Sequence, residues 1–247
     1  MVTEDSIMKN GGFEKMGKDI IVACDFNSKS EVIKFLSKFD GESLYIKIGM
    51  ELFYAEGPDM MKEMKERGHK IFLDLKLHDI PNTVRNTMKV LANLDIDMCN
   101  VHASGTIEMM KAAVEGLTKN DGSRPILVAV TQLTSTSNDS MQKELLIKKP
   151  IEEVVLHYAQ NAKIAGLDGV VCSPQEAKKV HEFCGKDFLT ITPGVRFLDE
   201  EKDDQIRIMT PAQAKTEGSD YIVVGRPITN ADYPLKVYRN YVKAFIG

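Results

Sequence analysis

Eight short apolar runs recur along the 247 residues, at positions 19–24, 44–48, 70–75, 97–101, 126–131, 169–172, 189–192 and 221–224. Most are near-continuous and rich in Ile and Val, the pattern of strands buried on both faces of a parallel sheet. Amphipathic stretches with helical spacing lie between them, among them 30–39, 58–67, 84–94, 106–118 and 151–165. Strict β–α alternation with eight repeats predicts an α/β fold, a (β/α)8 TIM barrel, and the length is ordinary for one such domain. An open doubly wound sheet usually carries a Gly-x-Gly-x-x-Gly turn after its first strand, and this chain has none there. The expected organisation is a barrel over 18–247 preceded by an N-terminal extension, 1–17, to which no function is assigned.

Composition removes several classes of function. Thirty-two basic residues against 36 acidic ones give a net charge of −4, which argues against a general nucleic-acid binder but leaves room for a local cationic pocket. No apolar run approaches the roughly 18 residues that span a bilayer, and the N-terminus lacks a signal-peptide core, so the expected compartment is the cytoplasm. Cys24, Cys99, Cys172 and Cys184 show no Cys-x-x-Cys spacing, and the first three fall in or at the end of strand-like runs, where a thiol acts as a small core residue. The five histidines form neither His-x-x-x-His nor His-Glu-x-x-His, so no dedicated zinc site is expected.

Barrel enzymes keep their active sites at the C-terminal ends of the strands. Those ends deliver Asp25, Lys47, Asp74 with Lys76, His102, Thr131, Pro193-Gly194 and Gly225-Arg226 toward one rim. In a strand, side chains alternate between faces, so Asp74 and Lys76 share one face while Leu73, Leu75 and Leu77 take the other. Opposite charges on the inward face are costly unless paired or used. The bland alternative is a salt-bridged layer closing the barrel core. Two connections on the same rim are long, 132–150 after the fifth strand and 193–211 after the seventh, and such a pair more often forms a lid than plain solvated surface.

An anion anchor is expected where the seventh and eighth strands end. Glycine at 225 lets backbone approach a ligand, Arg226 offers a planar fork of donors, and Pro227 suits the first turn of a helix. Gln205 and Arg207 lie in the preceding long loop. Asp79 differs in kind. Pro81 fits a first helical turn, so Asp79 and Ile80 stand at a helix entry, where Asp either caps the helix or reaches a pocket, its own or a neighbour's.

With those residues in place, the ordered motifs VACDF, YIKIGM, FLDLKLHDIPNT, NVHASG, VAVTQLTST, TPGVR and VVGRPI resemble the orotidine 5′-phosphate decarboxylases of the short prokaryotic type, over roughly residue 18 to the C-terminus. The Asp-x-Lys-x-x-Asp element alone is shared with related sugar-phosphate barrels; Ile-Pro-x-Thr and the Gly-Arg-Pro exit make the likeness specific.

The resemblance implies decarboxylation of orotidine 5′-monophosphate to uridine 5′-monophosphate with neither metal nor organic cofactor. It makes Lys76 the proton donor to carbon 6, sets Asp74 against the departing carboxylate, and completes the charge network with Lys47 and Asp79. It further implies a homodimer in which Asp79, Ile80 and Thr83 come from the second subunit. Asp25 and Lys47 hold ribose hydroxyls with help from Thr83, Thr134 contacts the pyrimidine, and Gln205, Gly225 and Arg226 grip the phosphate; Arg196 is a frequent family feature. The competing enzyme reading is a metal-dependent relative acting on a sugar-phosphate enediolate.

Overall fold

The computed structural model describes residues 18–198 and 208–247. Eight parallel strands, β1 (Asp19–Ala23), β2 (Tyr45–Gly49), β3 (Lys70–Leu77), β4 (Met98–His102), β5 (Ile126–Val130), β6 (Gly169–Val171), β7 (Leu189–Pro193) and β8 (Tyr221–Val224), pair in sequence order. The β1–β8 pairing, Asp19 opposite Tyr221 through Val22 opposite Val224, closes the barrel. Each predicted strand is found to within a residue or two. Around them run α1 (Lys29–Leu36), α2 (Met50–Glu56), α3 (Asp59–Glu66), α4 (Pro81–Leu91), α5 (Thr106–Leu117), α6 (Asn138–Lys143), α7 (Ile151–Ala165), α8 (Ala177–Cys184), α9 (Pro211–Thr216), α10 (Arg226–Thr229) and α11 (Pro234–Phe245).

Alternation along the strands divides the apolar residues into two cores. Ile21, Tyr45, Phe72, Met98, Val128, Ile191 and Tyr221 form one cluster that fills the barrel. Their neighbours Ile20, Val22, Ile46, Leu73, Cys99, Val101 and Leu127 belong to the larger cluster between sheet and helices. Burial on both faces is why the strands read as continuous apolar runs. All four cysteines are free and buried within this packing, and burial pushes the Cys24 and Cys99 thiols up to about 12.

Helix α4 begins at Pro81, as its fitness for a first helical turn predicts, because proline has no N–H to lose there. One connection departs from the sequence reading. The expected loop 132–150 contains α6, whose N-cap Ser137 accepts a hydrogen bond from the Ser140 N–H at 3.0 Å. Helices α4 and α5 are pressed together at Gly116, where an added Cβ would lie 2.1 Å from the Arg85 carbonyl oxygen. No helix among the described residues is long and apolar enough to cross a membrane.

Candidate active site

The C-terminal mouth of the barrel opens into a cavity of about 570 Å³. Its lining includes Asp25, Lys47, Asp74, Lys76, Thr134, Arg196, Gly225 and Arg226, all of them predicted from sequence. Among the described residues that line it, the charged side chains are Asp25, Lys47, Asp74, Lys76, Arg196 and Arg226.

The inward charges form a chain of alternating sign. Lys47 Nζ lies 2.8 Å from Asp25 Oδ1 and 3.4 Å from Asp74 Oδ2, and Lys76 Nζ lies 2.7 Å from Asp74 Oδ1. Asp74 is only 8% exposed. Burial works against its charge, but the Lys47 and Lys76 ammoniums and the hydrogen bonds from Lys76 and Asn100 outweigh it and hold the carboxyl below its ordinary value. Burial likewise opposes the Lys47 charge, and Asp74 with Asp25 outweighs it, so that lysine sits above its ordinary value. Both shifts favour the ionised pair.

Strand β3 does not run regularly through these residues. It advances from Leu73 to Leu77 while its partner β4 advances only from Cys99 to Val101, a bulge of two residues. Lys76 takes a left-handed backbone, φ 51°, a conformation costing a side-chain-bearing residue about 1–2 kcal/mol. Asp74 and Lys76 do share the inner side, and Leu73, Leu75 and Leu77 the outer core, as alternation predicts.

Two of the rim residues expected at the pocket do not line it. Thr131 is fully buried and clamps β5 to β6, its N–H and its hydroxyl both donating to the Val171 carbonyl. Val128 packs inside the barrel and Val130 lines the cavity, so alternation turns Thr131 outward and gives the next inward place to Gln132, which does line it. His102 has the inward phase, but its Nδ1 is engaged by Ser104 and its ring stacks on His78 at 5.7 Å. Burial, His78 and Lys76 all push the His102 imidazole below its ordinary value, toward the neutral form.

Asp79, Ile80 and Thr83 lie outside this chain's cavity, at the exposed start of α4. Ile80 is 66% exposed, and the Asp79 carboxylate accepts the Ile80 N–H at 2.6 Å. Gln205 and Arg207 lie outside the described residues. An added Cβ at Gly225 would meet Ala23 at 3.4 Å and Asp25 Oδ2 at 4.0 Å, an ordinary contact. Asn100 and Gln132 were not singled out from sequence. Alternation from His102 reaches Asn100, whereas an inward Thr131 gives Gln132 the opposite phase, so only the observed phase of β5 reveals it.

An eight-stranded parallel barrel whose C-terminal mouth carries a buried carboxylate between two lysines, with arginines beside them, defines an enzyme of the phosphate-handling barrel class. The profile of the Orotidine 5'-phosphate decarboxylase / HUMPS family matches residues 18–241. Orotidine 5'-phosphate decarboxylases of Bacillus cytotoxicus and Bacillus mycoides are 56% and 55% identical over 235 residues, 94% of this chain and 99% of each relative. The crystal structure of Orotidine 5'-phosphate decarboxylase from Lactobacillus acidophilus superposes with a TM-score of 0.83 at 46% identity, covering 93% of this chain and all of that one. The chain belongs to the orotidine 5′-phosphate decarboxylase / HUMPS family.

Proposed function

We propose that this protein is an orotidine 5′-phosphate decarboxylase of pyrimidine nucleotide synthesis, working without metal or organic cofactor, with Lys76 as its proton donor. The observation that carries this reading is the Lys76 ammonium held 2.7 Å from buried Asp74 in the cavity at the C-terminal mouth of the barrel. In the reaction, the bond between carbon 6 and its carboxylate breaks, carbon dioxide leaves, and the electron pair remains on carbon 6 in the plane of the ring. No π-system delocalises that pair. A fixed ammonium stabilises it electrostatically and then transfers a proton to it. Asp74 faces the substrate carboxylate and keeps Lys76 charged and oriented.

Asp25 and Lys47 serve the ribose hydroxyls, Thr134 the pyrimidine, and Gly225, Arg226 and Gln205 the phosphate, with Arg196 adding positive charge beside them. Both oxygens of Asp74 are already engaged, Oδ1 by Lys76 and Asn100 and Oδ2 by Lys47, which supports a lysine-based mechanism over one that uses this carboxylate as a metal ligand. Among the described residues no cluster of three or more His, Cys, Asp or Glu is placed to hold a metal. Asp79, Ile80 and Thr83 act on the partner's pocket in a homodimer. Their exposure at the head of α4, away from their own cavity, supports that assignment.

The test is the loss of orotidylate absorbance on adding metal-free, chelator-treated protein. Turnover is expected, and Lys76→Ala is expected to abolish it while uridine 5′-monophosphate still binds. Activity that vanishes with chelator would move the protein to the metal-dependent branch of its family, and near-normal turnover by Lys76→Ala would remove that lysine from its role.

A further inference from the structure

We infer that Asn100, which does not line the cavity, is the positioning residue that sets the geometry of the Asp74–Lys76 pair. This rests on the reading of Lys76 as proton donor. Asn100 is 1% exposed and stands on β4 directly beside the bulge in β3. Its Oδ1 accepts the backbone N–H of Lys76 at 2.7 Å, and its Nδ2 donates to Asp74 Oδ1 at 2.7 Å. The two partners fix the amide orientation without ambiguity, because a backbone N–H only donates and a carboxylate only accepts. One side chain thus holds the backbone of the proton-donating residue and the carboxylate beside it.

The bulge explains why such a clamp is needed. Where β3 carries two residues more than β4, its ladder to β4 is interrupted, and the Lys76 N–H loses its regular partner. Lys76 is also held in a left-handed backbone that its side chain disfavours. The Asn100 carbonyl replaces the missing strand acceptor at that residue. Its amide nitrogen takes one lone pair of Asp74 Oδ1, the same oxygen that Lys76 Nζ grips. Leucine in this place would fill the volume, leave the Lys76 N–H without its acceptor and remove one of the two donors to Asp74 Oδ1. Aspartate would keep an acceptor for Lys76 N–H but set a second carboxylate against Asp74. Protonated, however, that carboxylic acid reproduces the amide, with an O–H to donate and a carbonyl to accept.

That equivalence supplies the test. Steady-state kinetics and uridine 5′-monophosphate binding are measured from about pH 5 to 9 for the wild type, Asn100→Leu, Asn100→Asp and Lys76→Ala. Asn100→Leu should lose about a hundredfold in kcat, the order expected when a reacting group moves by an ångström, with nucleotide Kd within threefold. Asn100→Asp should be most active at the acid end, its kcat falling relative to wild type as pH rises and the introduced acid ionises against Asp74. A residue with a merely structural role would lower melting temperature and active fraction without tilting the pH profile. Should Asn100→Leu keep kcat within threefold, or Asn100→Asp follow the wild-type profile, the inference is overturned. If Lys76→Ala itself turns over normally, the reading of Lys76 fails instead, which this fourth protein separates from a failure at Asn100.

Discussion

Replacing Asp74 with Asn should destabilise the empty protein, and the size of the effect follows from its surroundings. The carboxylate lies 2.7 Å from Lys76 Nζ and 3.4 Å from Lys47 Nζ. At an effective dielectric of about 20 these separations correspond to gross attractions of roughly 5–6 kcal/mol each. Desolvation of the charges offsets most of that, and removing one member of a buried pair typically costs about 3–5 kcal/mol net. The Lys76 side chain is 29% exposed and can turn toward water, and Lys47 keeps Asp25, so the low end, about 3 kcal/mol, applies. For a chain of this size that is a fall of about 6–12 °C in Tm.

Scanning calorimetry of nucleotide-free protein measures it. The gap between wild type and variant should also be flat through neutral pH. The depressed Asp74 contributes stability above the ordinary carboxylate value of 3.8, lost as pH falls through its lowered value. The raised Lys47 contributes below the ordinary lysine value of 10.5, lost as pH rises through its elevated one. A variant as stable as the wild type, or more so, would refute this account. It would mean that Asp74 is already strained before any substrate carboxylate arrives, rather than satisfied by its three donors.

Three further outcomes are expected. Mixing inactive Lys76→Ala and Asp79→Ala proteins under conditions of proven subunit exchange should restore part of the activity, because a hybrid dimer holds one pocket with both residues intact; no recovery would sink the shared site. His69 is buried, its Nδ1 accepts the Leu44 N–H at 3.2 Å, and burial with nearby Arg67 lowers its pKa. Its neutral form is therefore the folded one, and stability should fall as pH drops below about 6.5, a slope that His69→Gln flattens in thermal melts. Gly116→Ala would drive a Cβ into the Arg85 carbonyl, so it should cost about 1–3 kcal/mol by denaturant titration and displace α4, lowering activity through Asp79 and Thr83 at its head.

The local chemistry of this chain determined its elements and most of its charged cavity. A strand buried on both faces must be apolar throughout, so eight such runs with helical spacing between them left little choice but a parallel barrel. Because every strand of that barrel ends on one rim, Asp25, Lys47, Asp74, Lys76 and Arg226 could be assigned to a single pocket from position alone. Tertiary structure decided what alternation could not. The phase of β5 turned Thr131 away and Gln132 in, and Ser104 and His78 drew His102 aside. A two-residue mismatch between β3 and β4 is a property of the pair of strands, invisible in either one. Asn100, an ordinary strand residue by sequence, acquired its place beside Asp74 and Lys76 only when that mismatch opened a gap in the ladder for its amide to close.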